Sequence, residues 1–283
     1  MTNGGQDLIG ANLRTPDLDS TRVSSLVKVS GGPLRLHRCR LEGPQQKAPD
    51  AWQTAVAFDG SGDPEKAAAC TINESVLLSS AAGVSVTGVG ARLAVRQSLL
   101  VAGGDAVQLL PGPKCRDRAA VQCSLENVTV AARRSVVRLG DAPSAGVPAE
   151  AVLVKARECA YLNPFSATVP LKAGMLTCDG EALSRGLLLW SGVREAFDPR
   201  LHFTVASLSA GIPDARERYT PWFAGWRGLW GTPGVQDPRE LTVYPVFPSG
   251  RWQLDRLALK LRDPVGANLD RLNLKSLVPA KKP

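Results

Sequence analysis

Leu93-Ala-Val-Arg-Gln-Ser-Leu-Leu100 restates, in pattern, the segment one step before it, Thr71-Ile-Asn-Glu-Ser-Val-Leu-Leu78. Leu34-Arg-Leu-His-Arg-Cys-Arg-Leu41 precedes both, and two looser copies follow, Cys123-Ser-Leu-Glu-Asn-Val-Thr-Val130 and Val152-Leu-Val-Lys-Ala-Arg-Glu-Cys-Ala-Tyr-Leu162. Each copy holds an alternating apolar strand, a polar pair, a small residue and a second short apolar strand. The small residues read as Cys39, Ser75, Ser98, Asn127 and Cys159. They recur every roughly 22 to 36 residues, the span of one supersecondary unit in a repeat protein.

A third strand completes the phrase: Gly83-Val-Ser-Val-Thr87, then Asp105-Ala-Val-Gln-Leu-Leu110, then Ser135-Val-Val-Arg-Leu139. Three short strands per repeat predict a single-stranded right-handed parallel β-helix of about five to seven coils. Each strand then hydrogen-bonds to its counterpart one coil on, and the small residues stack at a narrow corner. Cys39 and Cys159 are expected there as buried thiols acting as small hydrophobes. The longer intervals hold turn-forming loops, Gly43 to Pro64, Pro111 to Arg118 and Gly140 to Pro148. An antiparallel β-sandwich also uses short alternating strands, but it has no reason to repeat one eight-residue phrase. Leucine-rich repeats require a fixed asparagine and an amphipathic return segment, neither of which is present.

Composition agrees. Apolar residues make up 44% of the chain and aromatics only 5%, and 27 Gly and 21 Pro cut the apolar runs into pieces too short for long helices. The formal charge of +8 is scattered, with no basic stripe interleaved with aromatics, so nucleic-acid binding is not expected. Six cysteines in a chain long enough to bury its own core do not require disulfides. Cys115 and Cys123 are too widely spaced for a zinc knuckle, with only His37 and His202 to join them, and no metal or cofactor is expected. The first residues lack the basic and apolar regions of a secretory signal, and no stretch reaches the ~20 apolar residues that span a bilayer. Taken at face value the protein is cytoplasmic, although a strand-like segment begins so early that the chain reads equally as a fragment.

The organisation expected is a β-helix over 1–180 and a C-terminal extension over 181–283. In the extension, Leu187 to Trp190 and Leu201 to Val205 read as further strands, as does Leu241 to Phe247. Tyr219-Thr-Pro-Trp-Phe-Ala-Gly-Trp-Arg-Gly-Leu-Trp230 predicts a short helix, with Thr220 as cap, Pro221 in the first turn, and Trp222, Trp226 and Trp230 on one face. That face either docks on the β-helix as a cap or forms an exposed binding surface. Gly266-Ala-Asn-Leu echoes Gly10-Ala-Asn-Leu.

Over about Leu26 to Met175 the chain resembles the right-handed, pectin-lyase-like β-helix regions of large bacterial proteins, including those appended to bacterial serine/threonine kinases. The resemblance rests on the repeated phrases and implies fold more than activity. Pectin-degrading hydrolases of this shape carry Asn-Thr-Asp, Asp-Asp, Gly-His-Gly and Arg-Ile-Lys motifs, all absent here. Lyases of this shape use clustered calcium-binding acids with a basic residue; Asp105, Asp117 and Asp141, near Arg116 and Arg118, match that only loosely. Asp59, Asp63 and Glu65 share a loop and read as a solvated turn. Kinase chemistry is unsupported as well, since Gly88-Val-Gly-Ala-Arg lacks a third glycine and Phe58-Asp-Gly is out of order for a magnesium motif. With no catalytic residue to name, the expectation is a non-catalytic binding or scaffold module with a protein or polysaccharide partner and no membrane. A carbohydrate-active β-helix enzyme is the alternative.

Overall fold

The computed structural model describes residues 6–14, 24–43, 53–60, 68–88, 90–110, 121–140, 152–163, 174–178, 187–206, 235–241 and 265–268, with Trp226, Trp230, Arg271 and Leu272. Its strands fall into three parallel sheets, each collecting one strand per coil. The first sheet is β1 (Gln6–Ile9), β4 (Leu34–His37), β7 (Ala69–Asn73), β10 (Arg92–Arg96), β13 (Val121–Glu126), β16 (Val152–Arg157), β19 (Leu188–Val193) and β22 (Val235–Gln236). The second is β2 (Asn12–Arg14), β5 (Arg40–Glu42), β8 (Val76–Ser79), β11 (Leu99–Ala102), β14 (Thr129–Ala132), β17 (Ala160–Leu162), β20 (Ala196–Phe197) and β23 (Arg239–Glu240). The third is β3 (Ser25–Ser30), β6 (Thr54–Asp59), β9 (Ala82–Thr87), β12 (Val107–Leu110), β15 (Ser135–Leu139), β18 (Gly174–Thr177) and β21 (His202–Ala206).

Leu93 pairs with Cys70 on one side and Cys123 on the other, both in parallel, which excludes the sandwich. The result is a parallel β-helix-like stack of seven coils and two strands of an eighth. No sheet stops at 180, because β19 to β23 continue the same files. Among the described residues no helix is long and apolar enough to cross a membrane. Of the helix expected over 219–230 only Trp226 and Trp230 are described, of the strand expected over Leu241 to Phe247 only Leu241, which is not in a strand, and most of the long loops lie outside the described residues.

The corner between the first and second sheets is where the repeated phrase acts. One residue per coil there has positive φ: Arg38, Glu74, Gln97, Asn127, Glu158, Arg194 and Asp237. Left-handed backbone is unfavourable for side chains other than Asn and Asp, so the corner is held from outside. From Arg38 to Arg194 each N–H donates to the next coil, among them Arg38 to Asn73 O at 3.1 Å, Glu74 to Arg96 O at 3.1 Å and Asn127 to Arg157 O at 2.9 Å. Arg38–Glu74 at 2.8 Å and Glu158–Arg194 at 3.0 Å add ion pairs along the column.

The next residue points inward and forms the small-residue ladder. The Cys39 and Ser75 N–H groups each donate to the hydroxyl one coil on, Ser75 Oγ and Ser98 Oγ, at 3.0 Å. Asn127 is a correction to the sequence reading: it occupies the left-handed corner, and Val128, 0% exposed, fills the ladder. The phrase is offset there by one residue, and an asparagine suits both positions by composition alone. Cys39, Cys70, Cys123 and Cys159 are buried and unbridged. Burial pushes the Cys70, Cys123 and Cys159 thiols up to about 12, so they behave as small hydrophobes.

The second sheet differs from its neighbours in being apolar on both faces. Leu77, Leu100, Val130, Tyr161 and Phe197 fill the interior, while Val76, Leu78, Leu99, Val101, Ala131 and Leu162 form a second buried cluster outside. Leu241, Val265 and Leu272 pack on that outer cluster. Gly266 pins the returning chain: its N–H donates to Glu158 O at 2.6 Å, and its φ is +82°. A Cβ there would meet Thr129 Oγ1 at 2.5 Å, so the shared glycine of the two Gly-Ala-Asn-Leu segments marks a turn conformation rather than a further repeat. Gly266→Val is expected to free the segment at a cost of about 1–2 kcal/mol. Faster amide exchange in β8, β11 and β14 would report it.

Candidate functional site

Along the third sheet, odd and even positions part cleanly. Val27, Val29, Val56, Phe58, Val84, Val86, Val107 and Leu109 face the core, and their neighbours face out. Register sets Lys28, Ala57, Ser85, Gln108 and Arg138 in one outer file, and Asp59, Thr87 and Leu110 in the next. All of these side chains except Arg138 line a groove of about 460 Å³, together with Gln53 and Thr54. Coils are about 4.8 Å apart, so the groove offers a new polar group at that interval along the stack.

Its floor is braced from one end. Asp105, buried at the entry to β12, accepts a hydrogen bond from Ser135 Oγ at 2.6 Å and one from Gln108 Nε2 at 3.1 Å. Arg138 and Arg134 approach the same carboxylate at 3.6 and 3.9 Å. The Gln108 amide and the Arg138 guanidinium are thereby oriented along the outer face. Asp105 is thus committed to protein donors; Asp117 and Asp141, weighed with it as calcium ligands, lie outside the described residues, as do Asp63 and Glu65. Among the described residues no three His, Cys, Asp or Glu side chains converge as a metal site would require.

The chain matches no family model, no curated protein and no solved structure. Its function therefore has to be argued from its own side chains.

Of the three tryptophans singled out in the sequence, Trp226 and Trp230 lie among the described residues, and their environments differ. Trp226 is 1% exposed and stacks edge-to-face with Trp190, ring centroids 5.1 Å apart, and with Trp230 at 5.5 Å. Trp230 is half-buried against the core, and Trp222 lies outside the described residues. Sequence reasoning read Asp59 as part of a solvated turn, whereas it ends β6, and passed over Lys28, Ser85, Thr87 and Gln108, because a lone polar residue in a strand signals only an outward face. The available signal was their shared phase in β3, β6, β9 and β12, which becomes a site only when the coils are stacked.

Proposed function

We propose that the protein is a non-catalytic binding module on a right-handed, pectin-lyase-like β-helix, and that the groove on its third sheet takes an extended polysaccharide. Right-handed winding is the form favoured where parallel strands are joined by crossovers. The observation that carries the reading is the groove lining: Lys28, Asp59, Ser85, Thr87 and Gln108, from four consecutive coils, present hydroxyl, amide and single opposite charges to one linear space. Such a lining suits a polymer with many hydroxyls. Glycoside hydrolysis needs two carboxyl groups about 5–9.5 Å apart, and among the described residues the groove lining holds one, Asp59. That difference favours binding over the carbohydrate-active alternative. A short capping helix around Trp226 and Trp230 is supported by the helical backbone of both residues.

Titration calorimetry against neutral and uronate polysaccharides tests the reading. Ser85→Trp, which fills the groove from its middle coil, is expected to weaken binding at least about tenfold while leaving the fold intact. Release of new reducing ends or unsaturated products, abolished by Asp59→Asn, would replace it with the enzymatic alternative.

A further inference from the structure

At the seventh coil the inward ladder position, held by Cys39, Ser75, Ser98, Val128 and Cys159 in earlier coils, is taken by Glu195. Its side chain is 0% exposed. Tyr161 Oη donates to Oε1 at 2.7 Å and Trp190 Nε1 donates to Oε2 at 3.3 Å. Gly192 makes the room, since a Cβ there would overlap the carboxylate. The indole of Trp190 that holds the carboxylate also carries Trp226, which in turn meets Trp230. The same few side chains thus join the last complete coil to the residues that close its end.

Among the described residues the surroundings supply donors and no countercharge. Tyr161 on β17 and Cys159 just ahead of it are the titratable side chains facing Glu195, and burial pushes both well up, so both are neutral. On β19, Trp190 and Gly192 are uncharged. From β23, the Arg239 main-chain N–H donates to the Glu195 carbonyl at 2.8 Å. Neighbouring charges are matched elsewhere, Arg194 with Glu158, Arg200 with Asp198 and Arg239 with Asp237. A neutral carboxyl fits this pocket; a carboxylate in it has lost its hydration without gaining a cation.

We propose that Glu195 is a proton-operated latch for the C-terminal end of the stack: protonated, it lets coil seven close under Trp226; ionised, it loosens that coil and its cap. Burial pushes the carboxyl up to about 7, which places the change in the physiological range. Among the described residues the core coils contain no comparable group. Asp105, the buried carboxylate of the fourth coil, has Arg134 and Arg138 beside it.

Amide hydrogen exchange from pH 5.5 to 8, corrected for its intrinsic base catalysis, separates local from global effects. Protection in 188–197 and 235–241 is expected to fall at least about tenfold across that range, with 92–102 unchanged. In Glu195→Gln the end segments should hold constant protection. Tyr161→Phe removes one donor from the carboxylate and should move the midpoint to higher pH, a shift no merely structural role produces. A flat wild-type profile, an unchanged pH response in Glu195→Gln, or parallel loosening of 92–102 would each overturn the latch.

Discussion

Trp226→Ala is expected to lower the free energy of unfolding by about 3–5 kcal/mol, read as a fall in the urea midpoint. The side chain is 1% exposed and belongs to the main core cluster, so its removal leaves a cavity that its ring neighbours Trp190 and Trp230 cannot close without moving the backbone. Edge-to-face contacts with Trp190 and Trp230, at interplanar angles of 73° and 75°, add to the area term. Trp230, only half-buried, should lose less. Solenoids unfold from their ends, so the end coils may be followed separately by near-ultraviolet circular dichroism, which reports the stacked indoles. An unchanged midpoint would mean that Trp226 is not part of the core, and would return the tryptophans to consideration as a ligand surface.

The C-terminal coils are expected to lose about 3 kcal/mol of stability as pH rises from 4.5 to 7. Glu195 drives this, because desolvation lifts its folded carboxyl to about 7 from an ordinary 4.5. Below 4.5 the group is protonated in both states. Between the two values the unfolded chain releases the proton while the folded chain keeps it, and stability declines. Above 7 both states are ionised and the slope ends. Glu74, held low by its hydrogen bond from Arg38, acts in the opposite direction and only as pH drops through the acid range. Urea unfolding of wild type and Glu195→Gln at pH 5 and 7.5 checks the prediction. The glutamine variant should show no decline in this window, and a decline equal to wild type would assign it to another group.

The stacking direction was legible because it is written twice, once as strand alternation and once as the interval between phrases. Leu93 next to Cys70 and Cys123 follows from aligning three segments, and parallel pairing follows because every copy runs the same way. The small residue between the first two strands was legible for the same reason, with one slip at Asn127, where left-handed corner and inward ladder are adjacent and the loose copy carries no marker between them. The continuation of the sheets to Glu240 was harder to read, since in the last coil the phrase shortens to Val235–Gln236 and Arg239–Glu240.

What the sequence by itself determined is therefore the repeating unit: alternation sets which side chain faces in, and periodicity sets which strands meet. Only the tertiary structure decided what lies between units. The groove of Lys28, Asp59, Ser85, Thr87 and Gln108 exists because registry across four coils aligns residues that are tens of positions apart, and no local pattern encodes that alignment. Glu195 likewise reads in the sequence as one charged residue after a turn. Its character comes from Tyr161 and Trp190 converging on it in the buried interior, and the free energy of a charge depends on that enclosure rather than on its neighbours along the chain.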